Sequence, residues 1–433
     1  MQTCLHSYTN LPIRRWTSSC WITYLPAFLS AKKKHSPTDL NRISRSSPMT
    51  TTTLPAATAE LTSKRIPSVD VLRGFTLAAM ILVNAAGEWP HAYWPLKHAQ
   101  WNGCTPTDLV FPTFLFLTGT SLVFSFRSRL ARGVGKRELF LHTLKRSVIL
   151  FFIGVLLNAL PYFHIGTLRI YGVLQRIALC YLCVSVLYLW NRRPAFLLSV
   201  AALLLLGYWI LMRWIPLPGG LIPGRDVPLL DPVRNWVAIC DRWLHLGRLY
   251  EITRDPEGLL STPPAIATTL LGVLTGLWLQ SQRTIKEKSA GMLIAGAALL
   301  GSGLLWSLWF PLNKKLWTSS YVLFAAGCAL VGLGLFTYLM KDDRKDSWWS
   351  YPWLVFGTNA IAAYVLSEVI AIAISAIHIP GGDDKLTLKK YLFTHLFAPF
   401  GPGMDSLLFS LFFVLVCFVP IWILFRRRIF IKI

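Results

Sequence analysis

Acidic side chains are scarce in this chain, which carries 20 Asp and Glu against 43 Lys and Arg and has a formal charge of +23. Charged residues of all four types make up only 15% of the 433 residues, whereas 54% are hydrophobic. A nucleic-acid-binding surface needs basic residues clustered on a soluble domain, and the sequence contains no such polar stretch. The positive charge is typical instead of cytoplasmic loops, where Lys and Arg collect. The composition therefore predicts a protein embedded in a lipid bilayer, without a nucleic-acid partner.

Recognisable motifs for metals and nucleotides are also missing. The eight cysteines show no metal-ligand spacing, and there is no Walker or dinucleotide-binding glycine motif. Cys180 and Cys183 have C-x-x-C spacing, but they lie in the apolar run IALCYLCVSV, which is typical of buried thiols. We therefore expect no bound metal. Cys104 and Cys240 fall in predicted outer loops, and the sequence leaves open whether they form a disulfide.

Helical periodicity is absent from residues 1–64, which are rich in Ser, Thr, Pro and basic side chains. The apolar run 21–29 is too short to cross a bilayer, and no good small-residue cleavage site follows it. Met49 opens a polar stretch that resembles a natural N-terminus. We therefore predict that residues 1–64 are a disordered extension, that translation starts at Met49, and that residues 65–433 form one transmembrane domain.

Ten apolar segments follow, each long enough to cross a membrane, and they predict an all-α polytopic fold. Pro112 and Pro161 lie inside predicted spans, where proline can kink a helix. The predicted spans are residues 72–88, 107–126, 143–163, 171–190, 195–214, 263–281, 290–310, 319–340, 352–376 and 405–425.

Basic residues cluster on one side of the membrane if these spans alternate in direction. The opposite short loops hold few of them, so the positive-inside rule predicts that both termini are cytoplasmic. The loop that carries His98 then faces outward. The outer loop 215–262 is too short for an independent domain, and we expect it to cap the helices and wall a site. The basic clusters lie in turns 127–146, 191–194, 282–288 and 341–345 and in the C-terminal tail.

Long ordered motifs run from Arg65 to the C-terminus. R-x-x-SVDVLRG begins at Arg65, a VN pair ends at Asn84, and KHAQWNG-x-TPTDLVFP covers residues 97–112. The chain resembles, in these motifs, the transmembrane acyltransferases related to heparan-α-glucosaminide N-acetyltransferase, whose bacterial members are also labelled N-acetylglucosamine-related membrane proteins. Further matching blocks are RIYGVLQRIALCYL (169–182), DPEGLLSTPPAIATTLLG (255–272), NKKLWTSSYVLFAAG (313–327) and FGTNAIAAYVLSE (356–368).

The resemblance implies that acetyl-CoA supplies an acetyl group to the amine of a glucosamine-type sugar or glycan. Acetyl-CoA would come from the cytoplasm, with its pantetheine arm threading between helices toward the outer face. The compact ten-span form without a large outer domain favours the inner membrane of a bacterium. A homodimer is an option that the sequence leaves open.

The resemblance places the catalytic histidine of the family at His98. Its imidazole would act as the base that deprotonates the amine, or as the acyl acceptor of a two-step route. Asn84, in the VN position, would stabilise the tetrahedral oxygen, or else it caps the helix end. Asp108 would orient His98 or grip the sugar amine, or else it is a charge favoured at a helix N-terminus.

Each remaining candidate has two interpretations, a role in binding a ligand and a purely structural role. Trp101 and Asn102 can stack on and hydrogen-bond a sugar, or fold their loop. Arg176 lies about one turn inside a span, where charge is costly, and we expect it in a buried ion pair with Asp108 or Glu257 rather than on the carrier. Other acceptor-binding or acetyl-CoA-binding candidates are Arg169, Gln175, Glu257, Lys314, Trp317, Asn359 and Glu368.

Two other functions fit the same polar cavity. An amino-sugar transporter would use it without chemistry, although no inverted repeat is obvious. An acyltransferase of another envelope glycan would form an O-linked product.

Overall fold

The computed structural model describes residues 66–340, 347–381 and 384–431. The predicted extension 1–64 and the start at Met49 lie outside these residues and stay predictions. Nine described helices are long and apolar enough to cross a membrane, and a bent helix pair brings the number to 10 if it counts as one span. The prediction of an all-α polytopic membrane protein is therefore confirmed.

The predicted spans agree with the helices to within a few residues at most ends, because long apolar runs are a strong signal. The one described strand pair is a short antiparallel hairpin. The helices are α1 Pro67–Asn84, α2 Val110–Leu130, α3 Lys136–Ala159, α4 Val173–Trp190, α5 Pro194–Trp214, α6 Trp236–Leu244, α7 Thr262–Leu279, α8 Ile285–Ser307, α9 Ser319–Leu339, α10 Tyr351–Thr358, α11 Ala360–Ala376, α12 Leu388–Leu392 and α13 Met404–Arg426, and the strands are β1 His378–Gly381 and β2 Asp384–Thr387.

The predicted span 352–376 consists of two helices in the structure. Helices α10 and α11 meet at 85°, with Asn359 at the break between them. The Asn359 side chain donates to the carbonyl of Ile429 at 3.1 Å and accepts from the N–H of Ile431 at 3.0 Å. An asparagine amide that bonds backbone outside its own helix competes with helix continuation. Pro161 was also misplaced, because α3 ends at Ala159 and the proline follows the helix.

Close helix contacts fix the centre of the bundle. Gly272 on α7 faces α2 so tightly that a Cβ there would lie 1.9 Å from the carbonyl oxygen of Phe116. The Thr120 hydroxyl on α2 donates to the carbonyl of Gly272 at 3.0 Å. Small residues let helix backbones approach and bond across an interface in this way. Helices α2 and α7 therefore form a rigid support for the loops at their ends.

We call the end of the bundle that includes the end of α1 and the start of α2 the His98 end. The loop between α5 and α7, which carries α6, lies over this end. The Asn235 side chain caps α6 by accepting from the N–H of Ala238 at 2.9 Å. Val237 and Leu230 from this loop pack against Tyr208 of α5. We call this loop, residues 215–261, the cap loop, because it covers the helices at this end as predicted.

Candidate active site

A cavity of about 690 Å³ opens at the His98 end and is walled by α1, α2, α3, α4, α11, α13 and the loops between them. Its volume is in the range of small-molecule binding sites. Nine of the residues singled out in the sequence line this cavity, namely Asn84, His98, Trp101, Asp108, Arg169, Gln175, Glu257, Lys314 and Glu368. Four do not line it, namely Asn102, Arg176, Trp317 and Asn359.

His98 and Asp108 form the polar centre of the cavity. The Nδ1 atom of His98 lies 2.7 Å from Oδ1 of Asp108, a carboxylate that is 1% exposed. An ionised carboxylate only accepts hydrogen bonds, so the contact with Asp108 favours the imidazole tautomer with its proton on Nδ1. The lone pair of Nε2 is then available to accept a proton or an acyl group.

Local sequence explains why Asp108 is fixed. It is the third residue of the helical turn Pro106–Leu109, and its Oδ2 accepts from the N–H of Thr105 at 3.0 Å in a capping box. The same oxygen accepts from the N–H of Ala99 at 3.0 Å. The carboxylate therefore ties the His98 loop to the start of α2 and leaves Oδ1 for the imidazole.

Lys314 reaches the same centre from the loop between α8 and α9. Its Nζ lies 3.0 Å from Nδ1 and 3.4 Å from Nε2 of His98, and 3.5 Å from Oδ1 of Asp108. The N–H of Gly103 donates to the carbonyl of Leu312 at 2.8 Å, which joins the two loops. Burial lowers the pKa of Lys314, and the charges of Asp108 and Glu257 oppose this change.

Arg169 holds the cap loop to the turn between α3 and α4. Its Nε and one terminal nitrogen donate to Asp255 at 2.8 and 2.7 Å, and that nitrogen also lies 2.6 Å from Glu257. Burial works against the charge of Arg169, but its hydrogen bonds to Asp255 and the charge of Glu257 raise its pKa. The bidentate geometry is the one that a guanidinium and a carboxylate favour. This triad forms one wall of the cavity.

The predicted ion pair between Arg176 and Asp108 or Glu257 does not form. No acidic side chain lies within ion-pair distance of Arg176 among the residues that the structure describes; instead its guanidinium donates to the Gly258 carbonyl at 2.8 Å and to the Ser261 hydroxyl. The segment just before α7 therefore supplies neutral hydrogen-bond partners for Arg176 in place of the predicted acidic one.

Trp317 covers the Arg176 guanidinium, with the carbon of that group 5.2 Å from the ring centroid. The indole N–H donates to the Thr268 hydroxyl at 3.2 Å, and the side chain is 1% exposed. Arg176 and Trp317 are thus packing partners inside the bundle, away from the cavity.

Asn84 and Glu368 meet on the opposite wall. Asn84 is the last residue of α1 and is exposed to the cavity. Glu368 on α11 lies beside the Asn84 side chain. Glu368 has no Lys or Arg within ion-pair distance in the described part of the chain. The cavity therefore has one acidic group without a basic partner.

Trp101 is fixed by the cap loop. Its indole N–H donates to the carbonyl of Leu230 at 2.7 Å, and Arg254 lies 4.1 Å from the ring centroid. Asn102 points elsewhere and accepts from Asn313 at 3.2 Å. The structure therefore brings Trp101 to the cavity and leaves Asn102 as a contact between loops.

Helix α11 contributes further cavity-lining residues that the sequence analysis did not predict. Tyr364, Ser367 and Ala371 line the cavity together with Glu368. Their spacing of three, four and seven places them on one helix face. The polar positions Ser367 and Glu368, within an otherwise apolar run, were a signal that could have identified this face.

No group of three or more His, Cys, Asp or Glu residues in the described ranges is arranged to hold a metal ion. Cys104 and Cys240 are both free thiols. Burial is the first cause that raises the pKa of Cys104 to about 12, followed by the charge of Asp108. Neither thiol is therefore poised for metal or redox chemistry near neutral pH.

The fold and the cavity define a polytopic helical membrane protein with a histidine–carboxylate pair in a polar site at one end of its bundle. The family model described as "Heparan-alpha-glucosaminide N-acetyltransferase, catalytic" matches residues 65–312. The chain belongs to this family of membrane acyltransferases. The matched range includes His98 and Asp108, whereas Lys314 and Glu368 lie beyond it.

Two relatives carry the name heparan-alpha-glucosaminide N-acetyltransferase. The mouse protein is 34% identical over 282 residues, which are 55% of this chain and 42% of the relative. The human protein is 34% identical over 260 residues, which are 49% of this chain and 38% of the relative. The matched part of the chain therefore spans less than half the length of either relative.

Proposed function

We propose that this protein transfers an acetyl group from acetyl-CoA to the amine of a glucosamine-type sugar or glycan. The His98–Asp108 pair in the cavity is the observation that carries this proposal. Acetyl transfer to an amine requires a base, and the pair holds Nε2 of His98 ready to accept a proton. The names of the mouse and human relatives support the choice of an amino sugar as acceptor.

The reaction follows one of two balanced routes. In the direct route, the amine nitrogen attacks the thioester carbon, His98 takes the amine proton, and the CoA thiolate leaves and is then protonated. In the two-step route, Nε2 of His98 attacks the thioester and CoA leaves as the thiolate. The amine then attacks the acetyl-imidazole, the imidazole leaves, its Nε2 takes the amine proton, and that proton finally passes to the thiolate. Asp108 stabilises the positive imidazole in both routes.

Polar groups around His98 match the charges that develop. The Asn84 amide lines the cavity and can donate a hydrogen bond to the oxygen of the tetrahedral intermediate. The Lys314 amine adds a hydrogen-bond donor beside the same point. Glu368 has no basic partner among the described side chains, so it can attract the protonated amine of the acceptor before His98 removes a proton.

The positions of the basic loops indicate how the protein is oriented in the membrane. We place the His98 end outside the cytoplasm, both termini inside it, and the protein in the inner membrane of a bacterium. Acetyl-CoA then arrives from the cytoplasm. On α1 and α11 the cavity wall extends inward to Met80 and Tyr364, so the pantetheine arm must pass between helices below these residues.

Purified protein in proteoliposomes, with labelled acetyl-CoA and glucosamine, tests the proposal. We expect labelled N-acetylglucosamine from the wild type, none from His98→Ala, and normal turnover from His164→Ala, whose ring is exposed in the turn after α3. Unchanged turnover in His98→Ala would refute the role of His98. Glucosamine uptake without acetyl-CoA would show a transporter, and a base-labile product would show O-acylation.

A further inference from the structure

Gln175 places a buried, unpaired amide in the cavity wall. It lies in the first turn of α4, is 3% exposed, and lines the cavity. Its Nε2 is buried and has no hydrogen-bond partner among the residues that the structure describes. A side-chain amide can donate two hydrogen bonds, and burying it without partners costs free energy. The cavity is where a partner for this group can enter.

Two glycines make the space that the Gln175 amide occupies. A Cβ on Gly154 of α3 would lie 2.3 Å from Oε1 of Gln175, and a Cβ on Gly172 would lie 2.6 Å from the same atom. Neither distance is compatible with a side chain. The position of this amide is thus built by both neighbouring segments.

Asn158 supplies a complementary group one helical turn after Gly154. Its Nδ2 donates to the carbonyls of Arg169 and Tyr171, both at 2.8 Å. Both amide hydrogens are therefore used, and Oδ1 remains as an acceptor without a donor among the described residues. Asn158 also lines the cavity, so this wall offers one free donor and one free acceptor.

We propose that Gln175 and Asn158 form a subsite for a secondary amide of the bound substrate or product. A secondary amide presents one carbonyl to the Gln175 N–H and one N–H to the Asn158 oxygen. Within the described ranges, the basic side chain at this wall is Arg169, which is already paired with Asp255 and Glu257, so an anionic group would lack a cation to bind. This inference rests on the proposed function, which supplies two sources of such a group.

The pantetheine arm of CoA contains two secondary amides, and an N-acetylated sugar contains one. Either ligand can therefore place a secondary amide against Gln175 and Asn158. Binding of CoA and of N-acetylglucosamine, measured separately by calorimetry on the purified protein, distinguishes the two sources.

The variants Gln175→Leu and Gly154→Ala test the subsite, since the first removes the amide and the second displaces it. Gln280→Leu is the matched control for the first, because Gln280 Nε2 is also buried and unpaired but lies at the far end of α7. Gly301→Ala is the control for the second, because a Cβ there meets nothing within 4 Å. We expect about tenfold weaker binding of one or both ligands in each test variant and unchanged binding in the controls.

Loss of CoA affinity alone would assign the subsite to the pantetheine arm, and loss of N-acetylglucosamine affinity alone would assign it to the sugar. Wild-type affinity for both ligands in Gln175→Leu would overturn the inference. A thermal melt like that of the controls shows that the variants are folded. A protein that binds these ligands through Gln175 but transfers no acetyl group would refute the proposed function and leave the subsite standing.

Discussion

Asp108 and His98 are ten positions apart, and their side chains meet at 2.7 Å although the carboxylate is almost fully buried. The loop between them turns back on itself because Thr105 and Ala99 both donate backbone hydrogen bonds to Asp108. A buried carboxylate that is held by backbone donors has little freedom to move. It therefore fixes both the orientation and the tautomer of the imidazole.

Asp108→Asn is expected to slow acetyl transfer by about 10²- to 10⁴-fold with little change in acetyl-CoA affinity. An asparagine N–H directed at Nδ1 would force the imidazole proton onto Nε2, where the base is needed. Steady-state kinetics and acetyl-CoA binding should be measured together. Asp226→Asn is the control, because Asp226 lies in an exposed pair of the cap loop. Turnover above half of the wild-type value would refute the orienting role.

Glu368→Gln is expected to raise KM for the amino sugar by about tenfold while KM for acetyl-CoA stays constant. The neutral amide keeps the size of the side chain but loses the attraction for an ammonium group. Kinetics with each substrate varied in turn check this expectation. Glu138→Gln is the control, because Glu138 is exposed in the first turn of α3. Equal changes in both KM values would instead indicate a general change of the cavity.

Arg169→Met is expected to destabilise the protein by roughly 3–5 kcal/mol, because it leaves the buried Asp255 without its partner. Asp255 is fully buried. Arg225→Met is the control, since its pair with Asp226 is exposed and such pairs contribute about 0–1 kcal/mol. Denaturation midpoints in detergent would compare the variants. Equal midpoints for the two variants would show that the Arg169 triad does not hold the cap loop.

The sequence was sufficient for most of the fold, because a run of about 20 apolar residues needs no tertiary information to be recognised. The break at Asn359 was missed because the apolar run continues through it. At the break, the Asn359 side chain bonds the backbone of Ile429, 70 positions away. Such a long-range contact leaves no periodic signal in the local sequence.

In the candidate site, too, contacts between residues close in sequence could be predicted, whereas long-range contacts could not. Asp108 could be matched to His98 because a short loop joins them. Arg169 and Arg176 share one motif, and the sequence could not tell which of them pairs with an acid. Arg169 forms the pair because the cap loop folds over α4 and brings Asp255, 86 positions away, to its guanidinium.

Asp241 predicts a pH dependence of stability. It is fully buried on α6; Oδ2 accepts from the N–H of Asp255 at 2.9 Å, and Oδ1 has no partner in the described part of the chain. Burial, together with the charge of Asp255, raises the pKa of Asp241 from 3.8 to about 6, although the hydrogen bond from Asp255 and the charges of Arg176 and Arg242 act in the opposite direction.

Between these two pH values the unfolded chain loses the proton while the folded chain keeps it. The free energy of unfolding therefore falls as the pH rises from 3.8 to about 6 and levels off above that value, by a total of about 3 kcal/mol. Asp241→Asn cannot ionise and retains an oxygen for the N–H of Asp255. Its denaturation midpoint in detergent should exceed that of the wild type at pH 7.5 and approach it at pH 4. A difference of the same size at both pH values would show that ionisation of Asp241 is not the cause.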